Sequence, residues 1–344
     1  MKQASILAVA FAIVISGMLA AGAQSAAKVI QSQQPKPGSS DAYTLHVDAE
    51  EVVLNCTVLD NKRELVNDLT RSNFKVFEDK ALQTVISLQH QDTPVSIGLL
   101  VDNSGSMSTK RAAVASAALD LVKASNPHDE TFVINFSDQA YLDQDFTSDI
   151  GELQNGLAHL SQSGGTALYD TVVTAADKME RSATRPRKVL IVITDGDDNS
   201  SKLNLDSAIH RVQDLQGPII YSIGLLFGGD KSRHARRDLQ ALSSETGGIA
   251  FFPGSLKDID SVAAEVARDI RNQYVLAYHS PHASVDGYHT VTVEAHEGHG
   301  RITVYTRSGY LSKQSSSRDT KTDMKSTQSE QQIKEPFMNR IRCD

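Results

Sequence analysis

The sequence has no tryptophan, nine prolines and only two cysteines in 344 residues. Two cysteines cannot make the multi-bridge framework that holds small secreted domains together, so this chain must fold on an apolar core. Cys56 falls in phase with Val52, Leu54 and Val58, the inward side of a strand, and reads as a small buried hydrophobe. Cys343 stands in a polar tail, and a bridge between the two is not expected. Long apolar runs are scarce as well. Ile6–Leu19 falls short of the roughly 20 residues that span a bilayer. With Lys2 before it and Ala21-Gly22-Ala23 behind, it reads as an export signal cleaved near Gln24, which places the mature protein in the periplasm or outside the cell. An excess of basic charge is also missing. The 34 Lys and Arg against 42 Asp and Glu give a formal charge of −8, which disfavours nucleic acid and anionic membrane surfaces as partners.

What is present is an ordinary globular mixture, 40% hydrophobic and 22% charged, long enough for two domains. After the signal (1–23) comes a Gln-, Ser- and Pro-rich spacer (24–43). Residues 44–92 alternate apolar and polar side chains in short runs, the pattern of half-buried strands. From 94 to 271 the texture changes to strands alternating with helices. The unbroken Val189-Leu190-Ile191-Val192-Ile193 suits a strand buried on both faces, as in a parallel sheet. Residues 273–311 return to strand-like alternation, with Asp286-Gly287 and Glu297-Gly298 as hairpin-turn candidates and Val275, Val291, Val293, Ile302 and Val304 as inward positions. Residues 312–344 are polar and aperiodic, a disordered tail. The expected fold is therefore α/β, a doubly wound, mostly parallel sheet flanked by helices. Each β-rich flank is too small to bury a face well by itself, and the two together predict one β-sandwich into which the α/β domain is inserted.

The chemistry concentrates in three short pieces. Asp102-Asn103-Ser104-Gly105-Ser106 follows the apolar run Val95–Val101 and puts a carboxylate and two hydroxyls at i, i+2 and i+4. Ser163-Gly164-Gly165-Thr166 adds a hydroxyl on a Gly-rich loop, and Ile193-Thr194-Asp195-Gly196 ends a second apolar strand in another carboxylate. All are hard oxygen donors with no thiolate or imidazole beside them, which favours Mg²⁺, then Mn²⁺ or Ca²⁺, over zinc or copper. Taken singly, the serines read equally well as helix N-caps and Thr166 or Asp195 as turn formers.

In that order and spacing the three pieces resemble the metal-ion-dependent adhesion site of a von Willebrand factor type A domain, over about Pro94 to Arg271. Flanking Phe136-Ser137-Asp138 and Thr246-Gly247-Gly248 are similar to the family too. The whole chain resembles a bacterial, acidobacterial-type group of exported proteins of this kind, with Asn73–Asp79 in the lead segment and Gln273–Tyr310 in the trailing one. The resemblance implies metal ligands at Asp102, Ser104, Ser106, Thr166 and Asp195, one commonly acting through water. It also implies a divalent cation that accepts a carboxylate from a partner protein, an adhesion-type function rather than an enzymatic one. A metal-indifferent envelope scaffold is the alternative. Hydrolase chemistry ranks lower, because residues 102–106 lack a Gly-x-Ser-x-Gly elbow and His210, His234, His279 and His289 fall at no metal-ligand spacing.

Overall fold

The computed structural model describes residues 51–158, 164–214, 217–227, 231–282, 286–296 and 301–312. The expected signal segment, spacer and tail, together with Ser163, Glu297-Gly298 and Cys343, lie outside the described residues. The lead segment forms β1 (Glu51–Leu59), β2 (Phe74–Glu78), β3 (Ala81–Gln83) and β4 (Val85–Gln89). Next come β5 (Val95–Asp102), α1 (Arg111–Ala124), β6 (Glu130–Phe136), β7 (Ala140–Thr147), α2 (Ile150–Leu157) and α3 (Leu168–Ser182). They are followed by β8 (Arg187–Thr194), α4 (Leu205–Asp214), β9 (Ile219–Gly224), α5 (Lys231–Thr246), β10 (Ala250–Phe251) and α6 (Ile259–Arg271). The trailing segment adds β11 (Tyr274–His279), β12 (Gly287–Ala295), β13 (Thr303–Tyr305) and β14 (Gly309–Ser312).

The middle of the chain is a six-stranded sheet in the order β10-β9-β8-β5-β6-β7, parallel except for β7, which runs antiparallel to β6. Every residue of β5, β6 and β9 is buried, because helices cover both faces. Alternate residues of β5 therefore enter different cores. Ile97 and Leu99 pack with Val114 and Leu121 of α1, Leu153 of α2 and Val266 and Ile270 of α6. Leu100 packs with Val172 and Met179 of α3, Val212 of α4 and Leu239 of α5. The helices carry the matching period: α3 buries Leu168, Val172, Ala175, Ala176 and Met179, one stripe along its length. The expected α/β class stands. No helix among the described residues is long and apolar enough to cross a membrane.

The two flanks interleave. In the sheet β13-β1-β11-β4, strand β11 from the trailing segment lies between β1 and β4 of the lead segment, all antiparallel. In the sheet β14-β12-β2-β3, β12 pairs with β2. The two sheets share one core: Leu54, Cys56, Val58, Leu276 and Tyr278 from the first, Val76, Val291, Val293 and Tyr310 from the second. Cys56 is buried there as a free thiol, and burial pushes its pKa up to about 12. Two expectations need correction. Val275 is not inward: Cys56 stands opposite Tyr274 and Leu54 opposite Leu276, so the even-numbered residues of β11 take the core and Val275 faces away. Asp286-Gly287 is not a hairpin turn either. The strands on its two sides, β11 and β12, belong to different sheets, so the connection crosses the sandwich.

A buried polar knot fastens the inserted domain where it joins the sandwich. Arg187 of β8 donates to the Ile270 carbonyl and to Gln273 Oε1. Gln273 Nε2 in turn reaches Thr57 Oγ1 of β1 at 3.1 Å and Tyr221 Oη of β9 at 3.2 Å. Burial lowers the Arg187 pKa, and hydrogen-bond partners are what make such a buried cation tolerable. Nearby on α6, Asp269 is 1% exposed, and neither of its oxygens has a hydrogen-bond partner. Burial first, and the charge of Glu265 second, push its carboxyl up to about 7.

Candidate metal centre

β5 and β8 are parallel neighbours, Val101 opposite Ile193, so the residues that follow them emerge side by side at the carboxyl edge of the sheet. The chain leaves β5 toward β6 on one side and reaches β8 on the other, which makes this the point where strand order reverses and a crevice opens. Asp102 is wholly buried at the end of β5. Its Oδ1 accepts from the Ser104 amide at 2.8 Å and its Oδ2 from Thr194 Oγ1 at 2.5 Å. Ser104 Oγ lies 3.1 Å from Ser106 Oγ, which donates to Asp195 Oδ1 at 2.7 Å. Asp102, Ser104, Ser106 and Asp195 thus form one continuous polar chain. Thr166 faces the same cleft, an opening of about 830 Å³ that Ser106, Asp195, Asn199 and Phe227 also line.

Local structure explains how each donor is held. Residues 105–107 make a single 3₁₀ turn, and α1 begins at Arg111. The Arg111 guanidinium reaches back to the carbonyls of Asn103 and Ser104, at 2.8 and 3.3 Å, and fixes the loop from behind. Thr166 is set by a clamp. Its amide donates to Asn199 Oδ1 at 2.9 Å, and its carbonyl accepts from the Asn199 and Ser200 amides at 3.0 and 3.2 Å. Asp138 Oδ1 takes the Gly165 amide at 2.6 Å. A Cβ on Gly165 would stand 2.1 Å from Ser200 Oγ and 2.3 Å from Asn199 Oδ1, so only glycine fits that approach. Asp198 holds the Tyr169 amide at the start of α3, at 3.1 Å. Asp198 and Asn199, just after Asp195, therefore position the loop that carries Thr166 and the start of α3.

Sequence reasoning also missed Lys110. Its ammonium bonds Asp195 Oδ2 and lies 5.7 Å from the centre of the Phe227 ring. Nothing in the motif marks it, because a lysine just ahead of a helix is an unremarkable surface residue until the fold folds it over a carboxylate. Burial raises the Asp102 pKa, and hydrogen bonds from Thr194 and Ser104 oppose that rise while the charge of Asp195 adds to it. Two carboxylates that repel one another, with three hydroxyls facing them and no sulfur or imidazole among them, fit a hard divalent cation.

Residues 97–197 match the family model of the von Willebrand factor type A domain. The chain carries a von Willebrand factor type A domain. The matched span includes Asp102, Ser104, Ser106, Thr166 and Asp195. Solved structures similar to the chain include an aerotolerance-related membrane protein from Bacteroides fragilis NCTC 9343, with 18% identity over 51% of this chain and 98% of that one and a TM-score of 0.43. The vWF domain of the type V pili tip protein Mfa5 from Porphyromonas gingivalis is 14% identical over 53% and 97%, with a TM-score of 0.43. A von Willebrand factor type A protein from Catenulispora acidiphila is 13% identical over 76% and 74%, with a TM-score of 0.46. Comparison with curated proteins gives no match.

Proposed function

We propose that this protein is an exported interaction module in which a divalent cation, Mg²⁺ first among the candidates, is held by Asp102, Ser104, Ser106, Thr166 and Asp195 and binds a carboxylate of a partner protein. The observation that carries this reading is the hydrogen-bonded chain from Asp102 through Ser104 and Ser106 to Asp195, at the mouth of an open cleft. When bound, the cation supplies a Lewis-acidic centre that an anionic ligand can share. Asp102, with both oxygens already engaged, contributes mainly charge and holds the loop, while the hydroxyls of Ser104, Ser106 and Thr166 offer neutral donors. Two carboxylates leave a dication without surplus negative charge around it, so a third carboxylate remains welcome.

Lys110 and Phe227 support a protein as the occupant. Lys110 competes with a dication for Asp195, and once released it adds a positive charge at the same mouth. Phe227 is 41% exposed at the rim, an aromatic surface that protein interfaces favour. Capture of partners from envelope extract on the immobilised full chain tests the reading. Binding should vanish with EDTA, return with Mg²⁺ and fail in Asp195→Ala. A partner held equally well with EDTA and by Asp195→Ala would leave a metal-indifferent scaffold. Export is tested by the mature N-terminus, expected at or near Gln24. An intact Met1 in a soluble cytoplasmic fraction would refute it.

A further inference from the structure

A second cluster of ligating side chains lies on the sandwich, away from the cleft. Glu78 closes β2 and Asp79 begins the two-residue turn into β3; His282 lies just after β11, and His289 sits in β12. One ligand atom from each of these four lies within 4.8 Å of all the others. His282 Nδ1 is 2.8 Å from Glu78 Oε1, and His289 Nδ1 is 2.8 Å from Asp79 Oδ2. The imidazole rings stack with planes 5° apart and centroids 5.1 Å apart, so both Nδ1 edges face the same pair of carboxylates.

Three features separate this from an ordinary surface ion-pair group. Glu78 is 0% exposed, with Oε1 accepting from Ser280 at 2.8 Å and Oε2 buried, its surroundings supplying only the hydroxyls of Tyr278 and Tyr310. Neutral hydroxyls ease the burial of a carboxylate but leave its charge uncompensated, which a cation would meet. Asp79 and Lys80 both adopt left-handed backbone, φ 48° and 69°, at a turn that ordinarily takes Asn-Gly. Thr290 anchors that turn by donating its amide and hydroxyl to Asp79 Oδ1, which leaves Oδ2 turned to the histidines. The surroundings are mixed rather than acidic, two nitrogens and two oxygens.

We propose that Glu78, Asp79, His282 and His289 form a structural zinc site that ties the two flanks of the sandwich together. A nitrogen–oxygen set of this kind suits zinc, whereas magnesium and calcium prefer oxygen alone. Tetrahedral zinc with bonds of about 2.0–2.1 Å sets its ligand atoms roughly 3.3 Å apart, and the spacings here surround that value. Each ring binds through Nδ1 and keeps its proton on Nε2. The ion joins the β2–β3 turn to the chain that crosses between the two sheets, fastening residues some 200 positions apart (204 and 210 along the chain) without a disulfide.

Zinc titrated into the metal-stripped full chain, with excess Mg²⁺ present to occupy the Asp102–Asp195 cleft, tests this. One equivalent should bind, raise the melting temperature and show imidazole scattering at the zinc absorption edge. His282→Gln changes a half-exposed side chain and should spare the fold. It should weaken zinc by more than the roughly 10–100-fold that outer-sphere partners cost, and abolish the thermal shift. Asp79→Asn should do the same, while Asp195→Ala keeps its zinc, which separates this site from the cleft. No zinc bound by the native chain, equal affinity in His282→Gln and Asp79→Asn, loss in Asp195→Ala, or an edge spectrum without imidazole would each overturn the assignment.

Discussion

The cleft and the sandwich cluster differ in donor chemistry, oxygen alone against oxygen with imidazole nitrogen, and they are assembled along opposite chain paths. In the cleft, Asp102, Ser104 and Ser106 follow one strand within a single loop, because a loop leaving a parallel strand can wrap around whatever lies at the sheet edge. On the sandwich, Glu78 and Asp79 meet histidines 204 and 210 residues away, and they do so only because β2 pairs with β12 in one register. The first site is therefore written in large part locally, with Thr166 and Asp195 added by the pairing of β5 with β8, and the second is written wholly in the topology. The cores differ in the same way. The inserted domain buries both faces of its strands and reads as continuous apolar runs, while the sandwich buries one face of each sheet and reads as alternation.

The comparison breaks most completely if the sandwich halves are separated. Ending the chain after Arg271 removes β11 from between β1 and β4, and β12 from beside β2. The lead segment should then lose protease resistance while residues 94–271 stay folded. Protection of 51–89 in that truncation would mean that the lead strands stand alone.

Cavities in the two cores should cost alike but read out differently. Leu99→Ala in the inserted domain and Leu54→Ala in the sandwich, both 0% exposed, should each lose about 2–5 kcal/mol in denaturant unfolding. Only the first should disturb metal binding at the cleft. An equal effect of Leu54→Ala on the cleft would show the two regions to be energetically one.

Asp269 gives the next largest effect, and a pH signature. Its folded pKa of about 7 stands above the ordinary aspartate value of 3.8, so the folded state holds the extra proton between these values and stability falls as pH rises through them. Between pH 5 and pH 8 the loss from this group is roughly 3 kcal/mol. Asp269→Asn should flatten that slope in melting temperatures measured across the range. An unchanged slope would place the titration elsewhere.

At the cleft, Gly165→Ala forces a Cβ against Ser200 and Asn199 and should cost about 1–3 kcal/mol, with a larger proportional loss in Mg²⁺ affinity than in stability. The smallest effect belongs to Asp149, which caps α2 by accepting the Glu152 amide at 3.0 Å. Asp149→Ala should cost about 1 kcal/mol and leave both sites untouched. A change in either site's affinity would show that capping in α2 is coupled to it.

How much was legible follows from these paths. The six strands and five longer helices of the inserted domain could be read because unbroken runs such as Val189–Ile193 and the stripe of α3 carry their own period. That Asp102, Thr166 and Asp195 gather at one sheet edge is legible in the three short pieces, since each puts a hard oxygen donor at or after the end of a strand. Lys110 could not, because its role depends on where Asp195 lies after folding. Asp138, Asp198 and Asn199 look like solvated loop residues until their hydrogen bonds to Gly165, Tyr169 and Thr166 are seen. His289 reads from the sequence as a surface or packing residue, because spacing along the chain does not reveal which side chains strand pairing brings beside Asp79. Val275 was misplaced because a single-residue choice of register decides which face of β11 is inward, and short strands with apolar residues on both faces do not declare it.

The central claim is that the carboxyl edge of β5 and β8 holds one divalent cation. Calorimetric titration of Mg²⁺ into the metal-stripped full chain tests it most directly, with Asp102→Ala, Asp195→Ala and Lys110→Met beside the native protein. The account predicts a single site that both alanine variants lose and that Lys110→Met binds more tightly, because the competing ammonium is gone. Absence of any binding heat or thermal shift with Mg²⁺, Mn²⁺ or Ca²⁺, or a site that survives in Asp195→Ala, would contradict it.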